Sequence, residues 1–551
     1  MSEPVPPGPR EPEEAKSADQ PRDEPPLSRA GFACFPLEEP ALEPAQEPGG
    51  AESRDSTQDL SPGPAPSPDA SEPGALGPGQ AEPPAAAQAH PALPPYVERV
   101  AVALAVLLGL LFVWSTLGEI YRDFRWKPRV DFTMYHAAAQ TAAAGEDLYH
   151  FHEPGGYRPH NLPYPYPPLL ASLLSPLGKL SIGWAYHLWI AFIVLCLGLL
   201  SWLTAKVTAF CGAQRPLLLA LGALFLSMLL VDSNVYWGQV NIPVMTLVAS
   251  GLLLYLKGKR GWGGALIGFA AALKVLPAAL ALFFLVRRDW RALGACLATA
   301  LGLVFLVPAL VGGPSWAWAM NREWLDLFYA ALSQGSQGLQ SGGGYVSHLK
   351  NGSIVATFDR IFGGAGHKPL FLSLPQDTID SLVKVLRLGV VLTSAAATLR
   401  IFRPRAAGVE RHVFPLVVGL LLLCTWLINI LLWDHHLIGL VLILPVVAAA
   451  ALDGTIDPRW RRALWIGLVA GVAGLSSGWF NGSRRWGLQS LCFLILWGSI
   501  AWALIHAPAP PDKPQGSTAP EKEREASEPS LEESRQLALP LTGPETSKET
   551  Q

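Results

Sequence analysis

Few ionisable side chains lie beside the long apolar runs of this chain. Asp131 follows an apolar run in RVDFTMYHAAA, Lys274 stands inside AALKVLP, and His435 and His436 follow Trp433 and Asp434 at the end of another. Charges at such places are costly to keep near hydrocarbon and mark function by default. A carboxylate can act as a base, an ammonium is a point charge suited to an anion such as phosphate, and paired histidines can orient a carboxylate, donate to phosphate or hold a metal. Each also has a plainer reading. Asp131 precedes an Ala-rich stretch that it could cap as a helix, Lys274 could snorkel to an interface, and the histidines could form a solvated helix end. A metal normally takes three or more ligands at suitable spacing. Only an adjacent pair is offered, so no metal is expected.

The elements that position these residues follow from composition. The chain has 551 residues, is 50% hydrophobic and only 15% charged, and has a mean hydropathy of +0.28. A soluble protein of this length carries more charge, about 25%, so long stretches must avoid ionised side chains altogether. The net charge of −3 is a cancellation between an acidic N-terminal segment 1–95 (−12), an acidic C-terminal segment 507–551 (−4) and a basic body 96–506 (+13). Residues 1–95 hold 23 of the 50 prolines. Both ends are too poor in large apolar residues to offset the entropy of ordering them and are expected to be disordered tails. No charged n-region and apolar stretch opens the chain, so no cleaved signal peptide is expected. The six cysteines form no CxxC or Cys/His cluster, which indicates neither a disulfide framework nor a zinc site.

Apolar runs approaching or reaching the roughly 17–25 residues a bilayer needs recur from Val97. The clear ones are 97–118, 184–208, 215–232, 291–312, 381–402, 413–432, 461–480 and 486–506, with shorter or Pro/Gly-interrupted runs at 166–182, 242–256, 261–273, 275–287 and 437–453. The expectation is an all-α polytopic membrane protein with about 11–13 transmembrane or re-entrant helices and no internal repeat. Basic loops accumulate on the cytoplasmic side, and the clusters at 257–260, 287–291, 400–411 and 459–462 are assigned there. Residues 261–287 must then leave and return on one side, breaking near Lys274 and Pro277. Parity places both tails in the cytoplasm and 119–165, 233–241, 313–380, 433–436 and 481–485 outside. Arg484 and Arg485 oppose that assignment, as do the basic residues of 119–165, which could instead serve an anionic lipid. Asp131, Tyr149, the stretch YPYPPLL with Tyr166, Gln239, Asn241, Lys274, Asn351 and Asp434 to His436 all fall on or at the outer face.

The ordered series D-F-x-x-Y-x-A-A from Asp131, G-x-x-x-Y ending at Tyr149, Y-P-P at 166–168, G-Q-x-N at 238–241, A-A-x-x-K-V-x-P ending at Pro277, R-R-x-W-R at 287–291, N-x-S at 351–353 and W-x-H-H at 433–436 resembles glycosyltransferase family 87. The resemblance spans about residues 97–505. It implies the GT-C fold and transfer of mannose, or a related sugar, from a polyprenyl-phosphate donor to a lipid or glycan hydroxyl by an inverting reaction. A lipid-phosphate sugar is already activated, so the enzyme needs a base for the acceptor and cations for the departing phosphate. The resemblance places Asp131 as that base, with helix capping alone as the alternative, and Lys274 near the phosphate. His435 and His436 would take a polar role in the site. Gln239, Asn241 and Asn351 suit sugar hydroxyls or, equally, turn and helix-end bonds. Tyr149 and Tyr166 would stack on sugar or anchor the interface, and Arg129 would contact phosphate or be plain juxtamembrane charge. Of two N-G-S sequons, Asn351 matches the family pattern and Asn481 is read as chance. No cofactor, metal or nucleic acid is expected, and the location implied is the plasma membrane. The sequence leaves the oligomeric state open. A GT-C enzyme using another sugar such as arabinose, or a transporter, are the alternatives; the latter needs mid-span ions, which are few. In sealed vesicles the N-terminal segment should be cut by added protease only when the cytoplasmic face is outermost; cleavage in right-side-out vesicles would reverse the assigned sidedness.

Overall fold

The computed structural model describes residues 130–149, 164–340, 349–363, 368–400 and 407–507. The expected first span 97–118, Arg129 and both expected tails lie outside the described residues. The described chain is helical, without strands. In order the helices are α1 (Val130–Ala144), α2 (Pro168–Gly178), α3 (Ile182–Phe210), α4 (Pro216–Leu226), α5 (Met228–Trp237), α6 (Asn241–Leu256), α7 (Arg260–Leu273), α8 (Ala281–Val286), α9 (Trp290–Gly312), α10 (Pro314–Gln340), α11 (Ile354–Phe362), α12 (Gln376–Leu399), α13 (Ala407–Ile428), α14 (Leu440–Leu452), α15 (Pro458–Ser477), α16 (Asn481–Arg485) and α17 (Leu488–Ile505). Short tight turns at Leu276–Leu280 and Asp434–Gly439 lead into α8 and α14.

Every apolar run within the described residues is helical for most of its length. Among the described residues six segments are long and apolar enough to cross a membrane: α3, α9, α12, α17, the Arg411–Ile428 part of α13, and Asp434–Leu452, which joins the preceding turn to α14. A seventh crossing is available if α4 and α5, bent by 62°, form one broken span. The α13 and α14 segments are the inner ones, with 83% and 89% of their most apolar stretches buried, against 11% for α9, whose leucines face outward. This is an all-α polytopic membrane architecture. Helix α2 has 11 residues, or about 16 Å at 1.5 Å per residue, roughly half a hydrocarbon core. Proline occupies the first positions of α2, α4 and α15, where its missing N–H costs nothing.

Three breaks shape the helix ends around the candidate residues. Helix α5 stops at Gly238, whose φ of 68° and close approach to Phe132 suit only glycine; its carbonyl accepts from Trp189 Nε1 at 2.6 Å. Helix α7 ends where Lys274 turns extended, and the chain resumes with Pro277 in the first turn, which is the break expected from sequence. Helix α13 stops at Ile428 although the apolar run continues to 432. Asn351 explains this: its Nδ2 donates to the Ile430 carbonyl and its Oδ1 accepts from Leu432 N, while Gly352 N donates to the Leu432 carbonyl. Those backbone groups are thereby taken out of the helix ladder.

Glycines bring α6, α7 and α9 into backbone contact. A Cβ at Gly264 would lie 2.1 Å from the Ala292 carbonyl oxygen, and one at Gly268 would lie 2.1 Å from that of Cys296. The spacing Gly264 to Gly268 is the small-xxx-small pattern that lets membrane helices approach closely. This packing fixes the end of α7 beside the start of α6, and so Lys274 beside Asn241. Gly268→Leu should lower the melting temperature of the detergent-solubilised protein through overpacking worth about 1–3 kcal/mol; Gly294→Ala, within α9 and with open space around it, should hold or raise it.

Candidate active site

The candidate residues come together from the first turn of α1, the start of α2, the α5–α6 junction, the end of α7 and the turn before α14. Asp131 lies in the first turn of α1, and its Oδ2 accepts from Gln239 Nε2. Tyr135, one helical turn on and thus on the same face, donates to Tyr166 Oη at 2.9 Å, and Tyr166 Oη donates to Gln239 Oε1 at 3.4 Å. Asn241 Nδ2 also points to Gln239 Oε1, at 3.5 Å. Lys274 Nζ donates to Asn241 Oδ1 at 2.6 Å and sits 5.6 Å from the centre of the Tyr166 ring, within cation–π range. Asp131 and Lys274, which are opposite in charge, are therefore linked through two amides.

The chain of bonds continues inward. Asn241 Nδ2 donates to Asn234 Oδ1 at 3.2 Å, and Asn234 Nδ2 donates to the carbonyls of Leu230 at 2.7 Å and His435 at 3.0 Å. His435 Nδ1 lies 3.4 Å from Ser233 Oγ. His436 Nδ1 accepts from Trp433 N at 3.3 Å, which leaves Nε2 to carry the proton of the neutral ring. The two rings meet edge to face at 4.6 Å. Asp434 turns away to a buried ion pair with Arg484, 2.7 Å long, while Arg484 Nε donates to the Gly478 carbonyl. Arg484, which opposed the sidedness expected from sequence, is a buried partner of Asp434 and not a solvated loop charge.

Tyr149 supports this group from behind, its hydroxyl donating to the Tyr166 carbonyl at 3.0 Å. Burial, with Glu323 and Asp147 nearby, pushes the Tyr149 phenol up, and burial beside Tyr166 and Asp131 does the same for Tyr135. Both therefore remain hydroxyl donors at any working pH. Helix α10 braces the same loop: Trp316 Nε1 donates to the Glu146 carbonyl at 2.8 Å and Leu148 N to Met320 Sδ at 3.3 Å.

Asn351 lies elsewhere in the arrangement. It is buried, and its amide bonds the backbone at Ile430, Leu432 and Ser353, shaping the stretch that leads to Asp434. Arg129 lies outside the described residues. Tyr135, Asn234, Ser233 and Arg484 were not among the sequence candidates. Tyr135 had a signal, its i+4 spacing from Asp131; Asn234 had a weaker one, an amide within the apolar stretch preceding G-Q-x-N. Among the described residues no group of three or more His, Cys, Asp or Glu is placed to hold a metal ion, and the five described cysteines are free and buried.

Comparison with known proteins bears on what such a site does. The glycosyltransferase family 87 model matches residues 164–429. A protein of Mycobacterium tuberculosis, a polyprenol-phosphate-mannose-dependent alpha-(1-2)-phosphatidylinositol mannoside mannosyltransferase, is 33% identical over 395 residues, covering 67% of this chain and 81% of its own. This chain belongs to glycosyltransferase family 87. A protein of the same description from Mycolicibacterium smegmatis is 26% identical over 392 residues, 68% of this chain and 79% of that one. A pentamannoside mannosyltransferase of that organism is 28% identical over 211 residues, 38% of this chain and half of that one. No solved structure matches. The family 87 match includes Tyr166, Gln239, Asn241, Lys274 and Asn351, and its segment lies between Asp131 and the histidine pair, which the bonds above join to it.

The Asp434–Arg484 pair generates a prediction. Arg484→Met would strand a buried carboxylate and should cost about 3–5 kcal/mol, read as a fall in melting temperature, while adding Asp434→Leu should restore most of the loss.

Proposed function

We propose that this family 87 glycosyltransferase transfers mannose from a polyprenyl-phosphate mannose to a hydroxyl of a mannosylated lipid or related glycan, with inversion at the anomeric carbon. The observation that carries the reading is the bonded set Asp131, Gln239, Asn241 and Lys274: a carboxylate and an ammonium delivered to one site by different helices. The names of the relatives supply the donor and the class of acceptor. Asp131 takes the acceptor proton, the acceptor oxygen attacks the anomeric carbon, and the bond to the phosphate oxygen breaks on the opposite face. Lys274 balances the charge that collects on the leaving phosphate, and the His435–His436 pair is assigned a polar role beside it. Arg129 is assigned to the same phosphate. A single displacement turns a β-linked donor into an α-linked product.

Gln239 Nε2 fixes Asp131 Oδ2 in place by donating to it. The Tyr166 ring stands beside Lys274, and Tyr149 backs it through the Tyr166 carbonyl. The reading needs no divalent metal, since the ammonium supplies the cation. The site is assigned to the external face of the plasma membrane, with both chain ends in the cytoplasm, from the basic loops.

Purified protein given radiolabelled polyprenyl-phosphate mannose and a phosphatidylinositol mannoside should yield an α-linked product. Asp131→Asn should lower turnover by about 10²–10⁴-fold, the range for loss of a general base, while donor binding persists; undiminished transfer would remove Asp131 from that role. Turnover should also survive EDTA, and its loss on chelation would overturn the metal-free reading. Absence of any labelled product with mannose or pentose donors would favour a transporter.

A further inference from the structure

Asn234 lies at the inner end of the site's hydrogen-bond chain, fully buried on α5, and its side chain touches neither Asp131 nor Lys274 in any bond described above. Its position is nonetheless singular. An amide side chain has a donor end and an acceptor end, and its direction is set by what it faces. At its donor end Asn234 meets two backbone carbonyls, Leu230 and His435, which can only accept. Its Oδ1 must therefore face Asn241, and Asn241 must answer with Nδ2. That turns Asn241 Oδ1 toward Lys274 Nζ, which as an ammonium can only donate. The second N–H of Asn241 reaches Gln239 Oε1, so Gln239 must present Nε2 to Asp131. Fixed acceptors close one end and a fixed donor and a carboxylate close the other, so the three amides have one self-consistent direction.

We infer that Asn234 is a positioning residue for transfer, orienting Asn241 toward Lys274 while tying the His435–His436 turn to the same chain. The inference rests on the function proposed above for Lys274 and the histidines. Asn234 keeps one Asn241 N–H occupied and anchors the His435 carbonyl, so the ammonium and the imidazole pair are held in a fixed relation to one another. Its removal frees Asn241 to rotate and releases the turn. The polyprenyl chain and the sugar keep their own contacts. The loss should therefore fall on the transition state and leave donor binding nearly intact.

The test uses the full-length protein with polyprenyl-phosphate mannose and a phosphatidylinositol mannoside. Asn234→Leu, similar in size but without polar atoms, should lower kcat about tenfold or more with donor KM within about threefold of wild type. Asn234→Leu added to Asn241→Leu should cost little beyond Asn241→Leu alone, because residues in one network are not additive. The same four proteins should show non-additive melting temperatures, a readout that needs no turnover. If Asn234→Leu is not recovered folded, Asn234→Asp is measured in the same way. That variant keeps the acceptor toward Asn241 but sets an oxygen against two carbonyls, and the same kcat loss is expected. A kcat within threefold of wild type, a donor KM rising in step with the loss, or additive effects of 234 and 241 would each overturn the inference. If wild-type protein shows no transfer, the functional reading fails, and the melting temperatures still decide whether the two residues act together.

Discussion

A carboxylate and an ammonium in a largely apolar helical body can stay charged only if something bonds each of them, because an ion left without partners there neutralises or destabilises the fold. In this protein the partners are amides. Gln239 serves Asp131 and Asn241 serves Lys274, and the two amides bond one another. Much of the surrounding architecture can be understood as what that arrangement requires. Gly238 ends α5 with positive φ so that Gln239 and Asn241 can follow at a corner, and Pro277 restarts the chain after Lys274 has turned out of α7. The glycines of α7 draw it against α9 and α6, which sets where the ammonium can be.

The helices were largely legible in the sequence because hydrophobic run length is a one-dimensional property. The runs at 184–208, 242–256 and 486–506 became α3, α6 and α17 nearly end to end, and the interruption at Lys274 and Pro277 was visible as a lysine and a proline in an apolar stretch. What escaped were features decided by distant partners. The end of α13 depends on Asn351, far along the chain from Ile430 and Leu432. Arg484 looked like a misplaced loop charge because its partner Asp434 cannot be inferred from spacing.

The same reason divides the candidate site residues. Asp131, Gln239, Asn241, Lys274 and Tyr166 were picked out by type and neighbourhood, and the structure joins them. Asn351 is of the same type as Asn241 and also lies beside an apolar run, yet its amide bonds the backbone that leads to Asp434. Nothing local distinguishes an amide facing a lysine from one facing backbone N–H and C=O groups. Tyr135 was recoverable from its spacing to Asp131, whereas Asn234 needed its two carbonyl acceptors to be known.

The fixed direction of the Gln239 amide also governs where a proton can go. Its donor end faces Asp131, and its acceptor end is occupied by Tyr166 and Asn241. A proton collected by Asp131 therefore finds no route inward through Gln239, whose facing group already holds its own hydrogens. Along this branch the amide is a stop, keeping Asn241, Asn234 and the turn behind them out of the proton traffic that the chemistry creates.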